Sequence, residues 1–250
     1  MKPMLSDEEL KLYQQPLFLN LLLLAVNVSL FVSKLTFSYL SNSLALRADA
    51  FDNLTDIVMG LAGFIGLYYS NKEPTEQYPH GYYKIENIVS LVISLFIFFT
   101  AYNLIQQSIS EIWNAMRGGA QQVIVGPAVL VFVVISLAIS FSVSLFLKVV
   151  GRKTDSPIIQ SEANEKLFDN FISLSVLAGF VGAIFGIFVI DSLIGLIIAL
   201  FIIKGGYDIF VNATKTLLDA VIDFEQRKEL YEFIEKFPKV QEVNSVEVRA

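Results

Sequence analysis

Apolar runs of about 20 residues or more, the length needed to cross a bilayer, recur along the chain between short polar breaks. They predict six helices at roughly residues 16–40, 44–69, 86–112, 123–148, 157–187 and 191–214. Ser156 followed by Pro157 reads as an N-cap with proline at the first helical position. Asp191 is placed to cap the sixth helix, and Ser41, Asn42 and Ser43 offer the same chemistry to the second. After the last run the pattern turns amphipathic. From Asp223, Leu230, Phe233, Ile234 and Phe237 fall at helical spacing among charges, Pro238 ends that helix, and Val243, Val246 and Val248 suggest a strand. One helix and one strand cannot bury a core. The expected organisation is a polar cytoplasmic segment over 1–15, a six-helix transmembrane domain over 16–222, and the truncated start of an α+β cytoplasmic domain over 223–250.

Composition agrees with a membrane protein: 54% of the 250 residues are hydrophobic and 21 are Phe, with a mean hydropathy of +0.60. A net charge of −6 offers no basic stripe for nucleic acid. Cysteine is absent, which removes disulfides and thiolate metal sites. The leader, polar and acidic with no small-residue cleavage site after the first apolar run, reads as a solvated segment rather than a signal peptide. Lysine and arginine sit in the leader, the second loop and the fourth loop (Lys2, Lys11, Lys72, Lys84, Arg152, Lys153), against Arg117 alone in the third and none in the fifth. The positive-inside rule then puts both termini in the cytoplasm, and the expected location is the plasma (inner) membrane.

Against this apolar background one acidic pattern occurs twice, as ADAFDNLTD (Ala48 to Asp56) and SEANEKLFD (Ser161 to Asp169). Both read small, acid, Ala, any, acid, any, Leu, any, Asp. Asp49, Asp52 and Asp56 fall in a narrow arc of the second helix, with Ala45 and Gly60 on the same stripe. Glu162, Glu165 and Asp169 form the same arc on the fifth, continued by Ser173. Asp52 and Glu165 each lie about nine residues from their helix start, roughly 13 Å deep. Because the two helices run in opposite directions, side-by-side packing brings Asp52, Asp56, Glu165 and Asp169 together at mid-membrane, the way many transporters build their sites. Four carboxylates in low dielectric need protons or a cation to neutralise them. A site alternating between those two states is a cation/proton exchanger in outline. A lone intramembrane acid can merely bond a neighbouring helix, so Asp49 and Glu162 are expected to cap or orient neighbours, and Lys166 is available as a salt-bridge partner.

Taken together, SNSLALRADAFDNLTD, EPTEQYPHGYYKIE, SEANEKLFD and KTLLDAVID resemble the second-helix, first cytoplasmic-loop, fifth-helix and sixth-helix motifs of the cation diffusion facilitator family, over essentially the whole chain. The resemblance implies an all-α membrane protein of six transmembrane helices followed by a ferredoxin-like cytoplasmic domain. It further implies a homodimeric exporter that exchanges a divalent cation for protons, with no prosthetic group and no enzymatic activity. The transport site it implies is Asp52, Asp56, Glu165 and Asp169, and Lys84 with Asp219 matches a charge pair that links the third and sixth helices in the family. Zinc-transporting members usually carry His at the position of Asp52, of Glu165 or of both, whereas all four positions here are carboxylates. An all-oxygen shell suits harder ions, so Mn²⁺ is the expected cargo, ahead of Fe²⁺ and Zn²⁺. At the loop site Tyr82 replaces the usual His; Glu76 and His80, the only histidine, remain as a weak alternative. Two other classes compete: a membrane protein that binds metal without moving it, and an intramembrane aspartyl protease, for which the Gly-x-Gly-Asp context is missing.

Overall fold

A computed structural model describes residues 16–70, 84–119, 122–154 and 157–218, with positions 72, 75, 78, 81, 82, 233, 234 and 237 besides. Among these residues the chain is all-helical. The long helices are α1 (Pro16–Ser41), α2 (Leu44–Ser70), α3 (Ile85–Met116), α4 (Pro127–Thr154), α5 (Pro157–Ile184) and α6 (Val189–Leu217). Five of them, all but α2, are long and apolar enough to cross a membrane. α2 has 27 residues but carries Arg47, Asp49, Asp52 and Asp56 in its first half. The protein is an integral membrane protein. Phe233 and Ile234 are helical, while the rest of the expected C-terminal helix and strand lie outside the described residues.

The chain divides into two compact units, residues 1–61 with 96–205, and residues 62–95 with 206–250. In the first, α4 and α5 pack against each other, joined by α1 through a cluster of Leu19, Leu147, Val150, Ile159 and Ala163. Burial along α5 is the reverse of a soluble helix: Phe168 and Phe171 are 71% and 69% exposed, whereas Lys166, Asn170 and Ser173 are buried. A membrane solvates the phenylalanines, and the interior is left to groups that must find partners within the protein. On α4, Ser136, Ser140 and Ser144 form a buried small-residue stripe, and Asn170 Nδ2 donates to Ser144 Oγ at 3.1 Å. In the second unit Tyr82 lies among Tyr69 and Tyr78, at 6.3 and 4.9 Å between ring centroids.

Helix ends differ from the sequence expectation where local chemistry decides them. α4 starts at Pro127 rather than 123, because Gly126 C=O accepts the first amides (Val129 and Leu130) and proline takes the first turn. α5 stops at Ile184 rather than 187. There Gly186 (φ +79°) closes the helix, its N–H bonding Ala183 C=O while Ile187 N–H bonds Gly182 C=O. Asp191 does not cap its own helix. Its carboxylate accepts from Leu44 N–H at 2.7 Å and Ser43 Oγ–H at 2.5 Å, both at the start of α2. Ser43 is the α2 N-cap, its Oγ accepting Leu46 N–H at 3.0 Å. A buried carboxylate thus meets the positive end of a helix from another element.

This junction depends on close backbone approach. A Cβ on Gly195, one turn after Asp191, would sit 3.0 Å from Leu44 C and 3.1 Å from Ala45 N. Gly195→Ala is therefore expected to push α6 off the α2 start and to destabilise by about 1–3 kcal/mol, the usual cost of overpacking. A lowered thermal midpoint in detergent is the check.

Candidate functional site

α2 and α5 bring their acidic stretches together, and α1 joins them. Lys166 of α5 donates to Asp169 Oδ2 at 2.6 Å, to Asn27 Oδ1 of α1 at 3.1 Å, and to Asp56 Oδ2 of α2. The lysine side chain is 10% exposed. Beside this group, Asp52 Oδ2 is buried and has no hydrogen-bond partner. Glu165 is exposed, one residue off the buried stripe, and Glu162 is half-buried. Of the four expected cation ligands, Asp56 and Asp169 meet on Lys166, one oxygen of Asp52 is buried without a partner, and Glu165 is exposed. Among the described residues no three acidic or imidazole side chains are already gathered as a cage for a metal ion.

A second buried charge pair lies two turns along. Lys34 of α1 donates to Asp49 Oδ1 at 2.8 Å and to Ser173 Oγ of α5 at 3.2 Å, and Ser173 Oγ–H donates in turn to Asp49 at 3.0 Å. Lys34 and Asp49 side chains are both 2% exposed. The lysine that holds Asp49 was not among the residues singled out from the sequence. The signal was present: Lys34 is a lone charge inside an apolar span, which is a functional flag by default.

The two groups share one spacing. Asn27 and Lys34, Asp56 and Asp49, and Lys166 and Ser173 are each seven residues apart on α1, α2 and α5 respectively. Seven residues is two helical turns, roughly 10 Å. The three helices therefore meet in two polar layers, each with one lysine and at least one carboxylate, the lysine coming from α5 in one layer and from α1 in the other.

Lys84 Nζ reaches Leu217 C=O at 3.4 Å, at the last turn of α6, where a cation meets the negative helix end. Its expected partner Asp219 lies outside the described residues, as do Glu76 and His80.

Removing one partner of a buried pair leaves an uncompensated charge, at about 3–5 kcal/mol. Lys34→Met is accordingly expected to destabilise strongly, and Lys34→Met with Asp49→Leu to recover much of the loss. A double-mutant thermal-stability cycle measures this, and additive losses would show that the two residues do not act as a pair.

With this geometry in place, comparison with known proteins assigns the chain. Residues 21–218 match the cation efflux transmembrane domain. An uncharacterized transporter of Methanocaldococcus jannaschii is 31% identical over 89% of this chain and 75% of its own length. The manganese efflux system protein MneS of Bacillus subtilis is 29% identical over 86% of this chain and 72% of its own. The magnetosome protein MamB of a Magnetospira species is 27% identical, over 90% of this chain and 75% of its own. Such proteins are transporters, not enzymes, and the chain belongs to their family, the cation diffusion facilitators, which move divalent metal cations across membranes.

Proposed function

We propose that this protein exports a divalent cation in exchange for protons by alternating access, with Mn²⁺ as its preferred cargo. The observation that carries this reading is the meeting of Asp56 from α2 and Asp169 from α5 on one ammonium, with one oxygen of Asp52, a turn before Asp56, buried and without a partner. Carboxylates are not gathered in a membrane interior without a use for their charge. Asp52, Asp56 and Asp169 supply oxygen donors, and Glu165 is the fourth. Oxygen donors without imidazole favour a hard ion over Zn²⁺, and the printed name of the Bacillus relative points the same way. Fe²⁺ is the next choice. In this reading α2 is the sixth membrane-crossing helix and both termini are cytoplasmic, in the plasma membrane. The functional unit is a homodimer, and Lys84 and Asp219 link the third and sixth helices.

Proteoliposomes loaded with a pH gradient and offered Mn²⁺, Fe²⁺, Zn²⁺ and Cd²⁺ test it directly. Mn²⁺ uptake is expected to follow the gradient and to change between pH 6 and pH 8. Asp56→Asn is expected to abolish it. Zinc uptake without manganese uptake would sink the hard-ligand argument. Exchanging Asp52 or Glu165 for His should move selectivity towards Zn²⁺; selectivity that stays put would mean those two positions do not touch the ion.

A further inference from the structure

A lysine ammonium has three N–H donors and no acceptor. All three donors of Lys166 are used, on Asp56, Asp169 and Asn27. The two carboxylate oxygens it holds belong to the residues best placed to take a transported ion. An ion entering between α2 and α5 meets a cation already there. Two cations within a few ångströms repel strongly in a low-dielectric interior, so both cannot keep the same oxygens.

The charge balance also favours a lysine in this place. The ammonium offsets part of the negative charge of Asp56 and Asp169, the two carboxylates it bonds. Without it the empty site would hold that charge uncompensated, a costly state inside a membrane. The third partner, Asn27, is neutral and sits on α1, off the two acid-bearing helices. It is a contact the ammonium can keep while giving up both carboxylates.

We propose that Lys166 is a tethered counter-cation: it occupies Asp56 and Asp169 in the unloaded carrier, is displaced towards Asn27 by the incoming divalent ion, and returns when the ion leaves. This rests on the reading of the site as a cation transport site. Lys166 then sets two opposed quantities. It weakens cargo binding, because the ion must displace it. It speeds return of the empty carrier, because it cancels charge that would otherwise cross the membrane interior bare.

Mn²⁺ titration calorimetry on the full chain in detergent, paired with proteoliposome flux, tests this with two variants. Lys166→Gln is expected to tighten Mn²⁺ binding roughly tenfold or more, the worth of a charge-assisted hydrogen bond, while lowering the maximal exchange rate. Asn27→Leu leaves the lysine–carboxylate contacts in place but removes the refuge of the displaced ammonium, so Mn²⁺ binding should weaken. A residue that merely positions the carboxylates would weaken binding in both variants. Unchanged or weaker binding in Lys166→Gln overturns the proposal, and if that variant does not fold, unchanged binding in Asn27→Leu does so alone. A wild-type protein that binds no divalent ion defeats the transport-site reading itself, and this inference with it; wild-type binding with the wrong response in the variants defeats only the inference.

Discussion

A buried charge in a membrane protein must be answered from within, because the bilayer core supplies no water to solvate it. That constraint organises the α1–α2–α5 region. Asp49 and Asp56 are each bonded to a lysine of another helix and Asp169 to one of its own, and Lys34 and Lys166 are each surrounded by acceptors. Helix packing follows from these pairings as much as from shape. Asn170 with Ser144 and Ser173 with Asp49 and Lys34 extend the same polar seam from α5 to α4 and α1. Large apolar side chains such as Phe168 and Phe171 face outward.

Much of this was legible in the chain, and the parts that were not have definite causes. The doubled acidic pattern located α2 and α5 and the register of Asp52, Asp56 and Asp169, because helical spacing is rigid and charges in apolar sequence stand out. Glu165 was placed on the same arc by that spacing, yet it lies exposed while Lys166 takes the buried stripe. A difference of one residue is about 100° on a helix, and spacing within one element does not say which face its neighbours choose. Lys34 and Asn27 were overlooked because α1 carries no copy of the doubled acidic pattern to call attention to them. The partner of Asp191 was misjudged for a related reason. A capping residue before a helix is read as serving that helix, whereas here the start of α2 lies nearer in space than sequence order shows.

The two lysines also explain how opposite needs coexist in one bundle. Lys34 and Asp49 are sealed, each 2% exposed, and Ser173 completes their hydrogen bonding. The Lys166 layer is looser: Asp56 retains 27% exposure and one carboxylate oxygen of Asp52 has no partner at all. A fully satisfied group resists change, while a partly satisfied one responds to whatever arrives. The closed layer keeps α1, α2 and α5 in register, and the open one leaves room for exchange.

The anchoring of α2 has a geometric consequence. Asp191 grips the first residues of that helix at Leu44 and Ala45, and Gly195 allows backbone to lie against backbone there. At 1.5 Å per residue Asp49, Asp52 and Asp56 lie roughly 7, 12 and 18 Å beyond that grip. α2 is therefore a lever with its fulcrum at the α6 start. A tilt of 10° about that point would carry Asp56 about 3 Å sideways and Asp49 little more than about 1 Å, by simple rotation of a rod of this rise. Distance from that anchored end thus separates the two layers: the sealed Lys34–Asp49 pair lies near it and the open Lys166 layer far from it.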